Sequence, residues 1–518
     1  MTKKLHKNNQ KFPFLFVFLI LIIVFIVIFS LYYCFFSNKD SFPKMEDVFS
    51  QQEEEKLSGW VTENENTYYY SPKTHEKHTG WFFENGEHYY FSPKTGAMIT
   101  GLAEISEDSW FYFDEEGHLY RDCTVGNYVI NKSGIIIDRI MSTEQRALHQ
   151  EQLQQAVDSI SSSYGADGVS VAVIEEGAVT DTFQYGYAVK PNCPMTADTK
   201  IRIASISKVV LSMIGFSLRD EGVVTLENSI GDYWGFEIKN SAYPNHTISL
   251  SNIFTHTSSI SDLGSYQDIE GKLRRNVVFR NTEPSHPRSC SYCNFAFAVA
   301  GATLEKAGGK VIDDLADEAL FNDLGIDASF VSGKLKDTSL LAQLYYADGS
   351  TGRDVDFLAN YKGSSKPGEN GTSVVGSLCI SAQDMAKLVC ILTNDGIYEG
   401  TRYLSQMSVA QMEKPYCETD YHGVTVKQCM PLKYNTNIYG EDELYFHTGS
   451  AYGVYSLFTY NPDTKNGVVV ITTGASGAQD KYGIYAICGD ISNAIYSALR
   501  DAKNTYDPEP LTIKQLEY

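Results

Sequence analysis

Positive charge is scarce in this chain. Its 518 residues carry 42 Lys and Arg against 64 Asp and Glu, a formal net charge of −22. No Lys/Arg-rich cluster appears beyond the extreme N-terminus, and a phosphate backbone needs a basic face, so a nucleic-acid partner is excluded. Cysteine is also thin: ten scattered thiols in 518 residues are too few for a disulfide scaffold. Cys290 and Cys293 form a C-x-x-C, but no second Cys or His pair stands at zinc spacing, so neither a metal nor a cofactor is expected. Cys417 and Cys429 could pair in an exported chain. Apolar material is plentiful, 43% hydrophobic and 13% aromatic, enough for a large core and more than one domain.

Residues 14–36, FLFVFLILIIVFIVIFSLYYCFF, hold no charge and are long enough to cross a bilayer core as one helix. No small-residue cleavage site follows them, so they read as an uncleaved anchor. Four lysines and no acid precede the run, which by the positive-inside rule makes residues 1–13 a cytoplasmic tail and sends the rest outside. Residues 37–58 are a polar linker. A repeat then begins: Gly59-Trp60, Gly80-Trp81 and Gly101-Leu102 recur every 21 residues, each followed in register by an aromatic run (YYYSPKTH, YYFSPKTG, FYFDEEG), with YVINKSG at 128–134 as a shortened last copy. Alternating aromatics and a Gly-bearing turn predict small hairpins whose rings are covered by the next unit.

Residues 59–136 resemble the choline-binding and glucan-binding cell-wall repeats of Gram-positive surface proteins. That resemblance implies aromatic cages for a quaternary ammonium or wall polysaccharide, drawn from Trp60, Trp81, Tyr89, Tyr90, Trp110 and Tyr112, a cation–π arrangement. Rings that merely pack the stack are the alternative, and Leu102 stands where a Trp is expected.

From Ser142 onward long helical patterns alternate with strands. VSVAVIE (169–175) and VTDTFQYGYA (179–188) come early, VYSLFTYN (454–461) and GVVVITTG (467–474) late, with a mostly helical middle and a closing helix. The order predicts an α+β domain over 143–500: an antiparallel sheet built from both chain ends, flanked by helices, with a helical subdomain inserted. Residues 501–518 form a C-terminal tail.

Within RIASISKVVLSMIGFSLRDEG, Ser205 stands three positions before Lys208 at the start of a helical pattern, where residues three apart are neighbours. An ammonium is disfavoured there, because the backbone N–H groups already make that end positive. Two readings are open: a Ser cap followed by a surface lysine, or a serine nucleophile whose proton passes to a lysine kept neutral by burial. Further on, SCSYCNFAFA places Tyr292 and Asn294 two apart before another helix. HTGS at 447–450 precedes the late strand pair, where Gly449 permits close backbone approach.

Ser205-x-x-Lys208, Tyr292-x-Asn294 and His447-Thr448-Gly449, in that order, resemble the three motifs of the penicillin-recognising serine hydrolases, especially the class C β-lactamase and DD-peptidase branch. IFTHTSSISD (253–262) and GSLCISAQDMAKLV (376–389) add to the likeness. It implies a β-lactamase/DD-peptidase-like fold, with Ser205 acylated, Lys208 as its proton partner and Tyr292 as base or relay. Asn294 would orient Lys208 and a substrate amide, the N–H groups of Ser205 and Ser450 would form the oxyanion hole, and Thr448 and Ser450 would hold a substrate carboxylate. His256 would be structural, and Cys293 would pack inward. At 447 this chain carries His where class C enzymes usually carry Lys, as in certain DD-carboxypeptidases. Such a histidine supplies charge only when protonated, or else serves as a neutral hydrogen-bond donor. The expected partners are a peptidoglycan peptide, a D-amino-acid or a β-lactam-like small substrate, with DD-carboxypeptidase-like activity leading. A β-lactamase or esterase, and a penicillin-sensing protein without turnover, are the alternatives. The expected place is a Gram-positive-type cell surface, anchored through 14–36.

Overall fold

The structure, a computed structural model, describes residues 26–27 and 57–506 apart from 107–108, 127, 140–142, 287–289 and 422. The expected membrane span, apart from residues 26–27, and most of the linker lie outside the described residues. Among those described, no helix is long and apolar enough to cross a membrane. The described residues form two compact units: one runs to Cys123 and includes Ile130–Ile137, the other takes Thr124–Val129 and the described residues from Asp138 to Tyr506.

The first unit is a series of two-stranded hairpins, Gly59–Glu63 with Asn66–Tyr70, Gly80–Glu84 with Glu87–Phe91, and Gly101–Ser106 with Ser109–Phe113. The first two close through two-residue turns with both φ positive, Asn64-Glu65 and Asn85-Gly86, the geometry that matches strand twist. Their register sets Trp60 opposite Tyr69 and Trp81 opposite Tyr90. Rings of successive hairpins meet, Trp60 with Tyr89 at 4.9 Å and Trp81 with Phe111 at 5.1 Å between centroids, because a two-stranded hairpin cannot bury its own aromatics.

The second unit is built on a nine-stranded antiparallel sheet. Its order is Cys193–Pro194, Ala178–Val189, Gly168–Glu175, Gly467–Thr473, Val454–Tyr460, Glu441–Ala451, Lys433–Ile438, Val424–Gln428, Cys417–Tyr421. The early and late strands do meet, Gly168–Glu175 pairing with Gly467–Thr473. Gly168–Glu175 is buried on both faces. Val169, Val171 and Val173 face one way with Val468 and Val470, packing on Leu153, Val157, Ile487 and Ile491 of the helices Thr143–Ser163 and Ala486–Tyr506. Ala172 and Ile174 face the other way with Val469 and Ile471, toward Leu388 and Ile391 of the helix Ala382–Thr393 and the inserted helical region. The last helix carries the domain to Tyr506, past the expected boundary at 500, and residues 507–518 lie outside the described set.

Four strands between 417 and 451 extend the sheet beyond the pairs expected from sequence. One of them carries His447. The disulfide also differs from the expected pairing: Cys417 is joined to Cys290, while Cys429 is buried and has no disulfide partner among the described residues. The reason is register. Cys417 lies opposite Gln428 in its hairpin, which leaves its sulfur facing Thr255 and the segment that holds Cys290.

Candidate active site

Ser205 sits in a 3-10 turn, Ala204–Ile206, that leads into the helix Ser207–Asp220. Ala204 before it has φ +49, a left-handed conformation costing on the order of 1–2 kcal/mol for a residue with a Cβ. Such strain persists where the surroundings over-determine it. Here Ser456 Oγ donates to the Ile203 carbonyl at 2.8 Å, tying the turn to the sheet. Gly449 lies against the same turn, and a Cβ there would meet the Ile203 carbonyl oxygen at 2.4 Å, so only glycine lets strand and turn approach this closely. No side chain caps the helix, which removes the reading of Ser205 as a cap.

Lys208 is no surface residue: it is fully buried. Its Nζ lies 3.0 Å from Ser205 Oγ and donates to the Val375 carbonyl at 2.6 Å. Burial lowers its pKa from 10.5 to about 7, against a smaller upward pull from Asp262. That disfavours the ammonium by about 5 kcal/mol relative to water. A neutral amine that gives one N–H to Val375 keeps a lone pair for the serine proton.

Tyr292, 41% exposed, spreads its ring beside this amine, with the centroid 5.2 Å from Lys208 Nζ and 4.5 Å from the His256 ring. Asn294 opens the helix Asn294–Gly308, and both its backbone N–H and its Nδ2 donate to Asp262, at 3.2 and 3.1 Å. The polar partner expected of Asn294 at Lys208 is instead the Val375 carbonyl. Cys293 is buried, caps that helix by accepting from the Ala296 N–H at 3.3 Å, and has its thiol pushed up to about 11 by burial. It packs inward and is not poised to react. His256 accepts from the Cys293 N–H through Nδ1, and burial, with Lys208 and Lys433 nearby, lowers its pKa to about 3.

Of the two roles left open for His447, its surroundings favour the neutral hydrogen-bond donor. It is buried, its Nδ1–H donates to the Thr448 carbonyl at 2.8 Å, and burial together with Lys433 and Lys208 holds its pKa well below the usual value. The ring is therefore neutral at physiological pH, with Nε2 an acceptor that has no partner among the described residues. Ser205, Tyr292, Asn294, His447, Thr448 and Ser450 all line one cleft of about 650 Å³. Arg202, Lys433 and Tyr452 line it too, and sequence reasoning missed them; two of them had a signal in their spacing, Arg202 three residues before Ser205 and Tyr452 two after Ser450.

A serine in contact with a buried, readily neutral lysine, at the foot of an open cleft beside a sheet strand, defines a hydrolase that works through an active-site serine. Residues 151–487 match the family model of the beta-lactamases. The chain belongs to the beta-lactamase family and is a serine hydrolase of the β-lactamase/DD-peptidase type. Residues 58–72 and 79–98 match the choline-binding cell wall binding repeat. Penicillin-binding protein 4 of Amycolatopsis lactamdurans is 23% identical over 269 residues, which are 50% of this chain and 68% of that protein. Two further curated relatives are spanned over only 37% and 59% of their length. Among solved structures, the octameric penicillin-binding protein homologue from Pyrococcus abyssi superposes with a TM-score of 0.54 at 20% identity, covering 68% of this chain and 77% of that one. The beta-lactamase/D-alanine carboxypeptidase from Yersinia pestis gives 0.53 at 18% identity, covering 68% and 99%. At these identities the likeness is one of fold.

Proposed function

We propose that the chain is a DD-carboxypeptidase-like enzyme acting on cell-wall D-alanyl groups. In this reading it is held at the outer face of the membrane by residues 14–36, with residues 59–136 set against wall material. The observation that carries the reading is the contact of Lys208 Nζ with Ser205 Oγ at 3.0 Å, with the lysine pKa near 7. Neutral Lys208 takes the Ser205 proton as Oγ attacks the scissile carbonyl. The oxyanion is stabilised by the N–H groups of Ser205 and Ser450. Collapse expels the terminal D-amino acid, whose amine takes the proton back from Lys208, directly or through Tyr292. Water then attacks the Ser205 ester, giving up its proton by the same route, and frees the acid and the serine.

A second reading, an esterase or β-lactamase on the same scaffold, is favoured by the neutrality of His447, which offers no charge to a terminal carboxylate. Incubation with a fluorescent penicillin, with the release of label timed, tests both. Labelling of wild type but not of Ser205→Ala, with slow release and turnover of D-Ala-D-Ala peptides, is expected. Rapid release without peptide turnover identifies a β-lactamase, label that never leaves in a chain inert to peptides and esters identifies a sensor, and label on another serine overturns the assignment.

A further inference from the structure

The cleft contains a cation the catalytic scheme leaves unused. Arg202 lines it and is partly buried. Among the described residues only one of its five N–H donors is engaged, Nε with the Gly376 carbonyl at 2.6 Å. Its guanidinium carbon lies 4.9 Å from the Tyr452 ring centroid. Arg353 approaches the same ring at 4.0 Å and has a buried Nε with no partner among those residues. Within the same set neither arginine forms an ion pair with a carboxylate. The nearest acid in sequence, Asp354, spends its side chain capping the helix Val355–Asn360. Two guanidinium groups drawn out of water beside one ring, in a chain with a surplus of acids, are costly to keep without an anion.

The place of Arg202 in the cleft says which part of a substrate it faces, with Arg353 behind the shared Tyr452 ring. Along the strand that ends at Ala451, His447 and Tyr452 lie on opposite sides of Ser450 in chain order, and Arg202 is fixed against Tyr452. Gly376, which anchors its Nε, packs on Ala204 next to the nucleophile. If Thr448 and Ser450 hold the terminal carboxylate of a D-alanyl substrate, as the family likeness implies, the leaving group lies there, and the Arg202 end, at Tyr452 beyond Ser450, is left to the acyl portion.

We propose that Arg202, supported by Arg353, recognises a carboxylate carried on the acyl portion of the substrate, beyond the scissile carbonyl. The fork of N–H groups, steadied by Gly376 and Tyr452, fits a bidentate carboxylate. This rests on the acyl-enzyme reading but does not require that the leaving group be D-alanine, so the two are tested separately.

Two substrate pairs decide it, measured on the full chain. One pair is mono-p-nitrophenyl succinate and p-nitrophenyl succinamate, the other N-succinyl-D-Ala-D-Ala and N-succinamoyl-D-Ala-D-Ala. Within each pair only an acyl-side carboxylate becomes a carboxamide. Wild type is expected to favour the anionic member in kcat/KM by about tenfold or more, the range of a charged hydrogen bond. Arg202→Gln should bring the ratio to near one and Arg202→Lys restore part of it, while added salt reduces the wild-type ratio. A wild-type ratio of one, or a ratio unchanged in Arg202→Gln, overturns the proposal. Turnover of the esters alone overturns the D-alanyl reading and leaves the arginine test intact. If neither pair turns over, calorimetric binding of N-succinyl-D-alanine against N-succinamoyl-D-alanine takes its place: a preference for the carboxylate that Arg202→Gln abolishes supports the proposal, and equal binding in wild type overturns it.

Discussion

The two units use aromatic rings and amines in opposite ways. In the repeat unit the ammonium of exposed Lys77 sits 3.4 Å from the centroid of the Tyr68 ring, and Trp60 and Trp81 remain 39% and 43% exposed. In the hydrolase unit Lys208 also lies beside rings, those of Tyr292 and Phe297, but with no contact to water. A ring face favours a cation in either place. What differs is desolvation, which outweighs the rings at Lys208 and makes the amine a base near neutral pH. The repeat unit needs its rings wet and available, whereas the hydrolase needs its lysine dry.

The strongest way to break that contrast is to remove the dry lysine. Lys208→Ala should lower the acylation rate of Ser205 by roughly 10²–10⁴-fold, the usual weight of a positioned base, measured by stopped-flow labelling with a fluorescent penicillin. In wild type the base must be neutral, so acylation should rise with pH through about 7 and level off above it. The stability sign agrees. The unfolded lysine holds its proton up to 10.5 and the folded one only to about 7, so between these values the unfolded state binds more protons and the folded state gains stability as pH rises. A Lys208→Ala protein that still acylates within tenfold of wild type would make another group the base.

On the wet side, Trp81→Ala should weaken retention on purified Gram-positive wall or choline resin by about threefold to thirtyfold, the range of a cation–π contact. Hydrolysis of a small ester should not change. If the full chain ignores wall, choline and polysaccharide alike, the rings only pack the hairpins.

How much of this was legible in the sequence follows the same division. The repeat register spans only 21 residues, so the hairpins could be read directly, whereas the Asn64-Glu65 turn of the first, which holds no glycine, could not. Ser205 with Lys208, Tyr292 with Asn294, and the 447–450 run were legible for the same reason: each is a short spacing. What joins them was not. The Val375 carbonyl on Lys208, Asp262 on Asn294, and Arg202 on Gly376 are contacts across 167, 32 and 174 positions. The strands from 417 to 451 mix polar and apolar residues, and burial does not follow residue type: Lys433–Ile438 is buried at its two ends and open in the middle, and Glu441, His447 and Gly449 are among the buried positions of Glu441–Ala451. The neutrality of His447 also depends on Lys433 and Lys208, which only the fold brings near.

A smaller effect is expected at His447. Because it is neutral throughout the working range, His447→Gln should keep the pH profile on a D-Ala-D-Ala peptide and reduce kcat/KM about fivefold, the worth of one neutral hydrogen bond. Loss of an acidic limb in the variant would mean that His447 titrates after all.

The finest adjustment of the contrast lies in Asp262, the acid that raises the Lys208 pKa against the pull of burial. In Asp262→Asn the opposing charge is gone, while an amide oxygen remains to accept from Asn294. The ammonium form of Lys208 then loses its Coulombic support, and the amine becomes neutral at lower pH. The acidic limb of the acylation profile should therefore move down by up to about one pH unit, and activity at pH 6 should rise about twofold to fivefold relative to that at pH 8. The two profiles are to be measured with a neutral p-nitrophenyl ester, so that the charge change at 262 acts on the base and not on the substrate. A limb that stays in place would show that some group other than Lys208 sets it, and one that moves up would show that Asp262 acts through the position of Asn294 and Tyr292 rather than through charge.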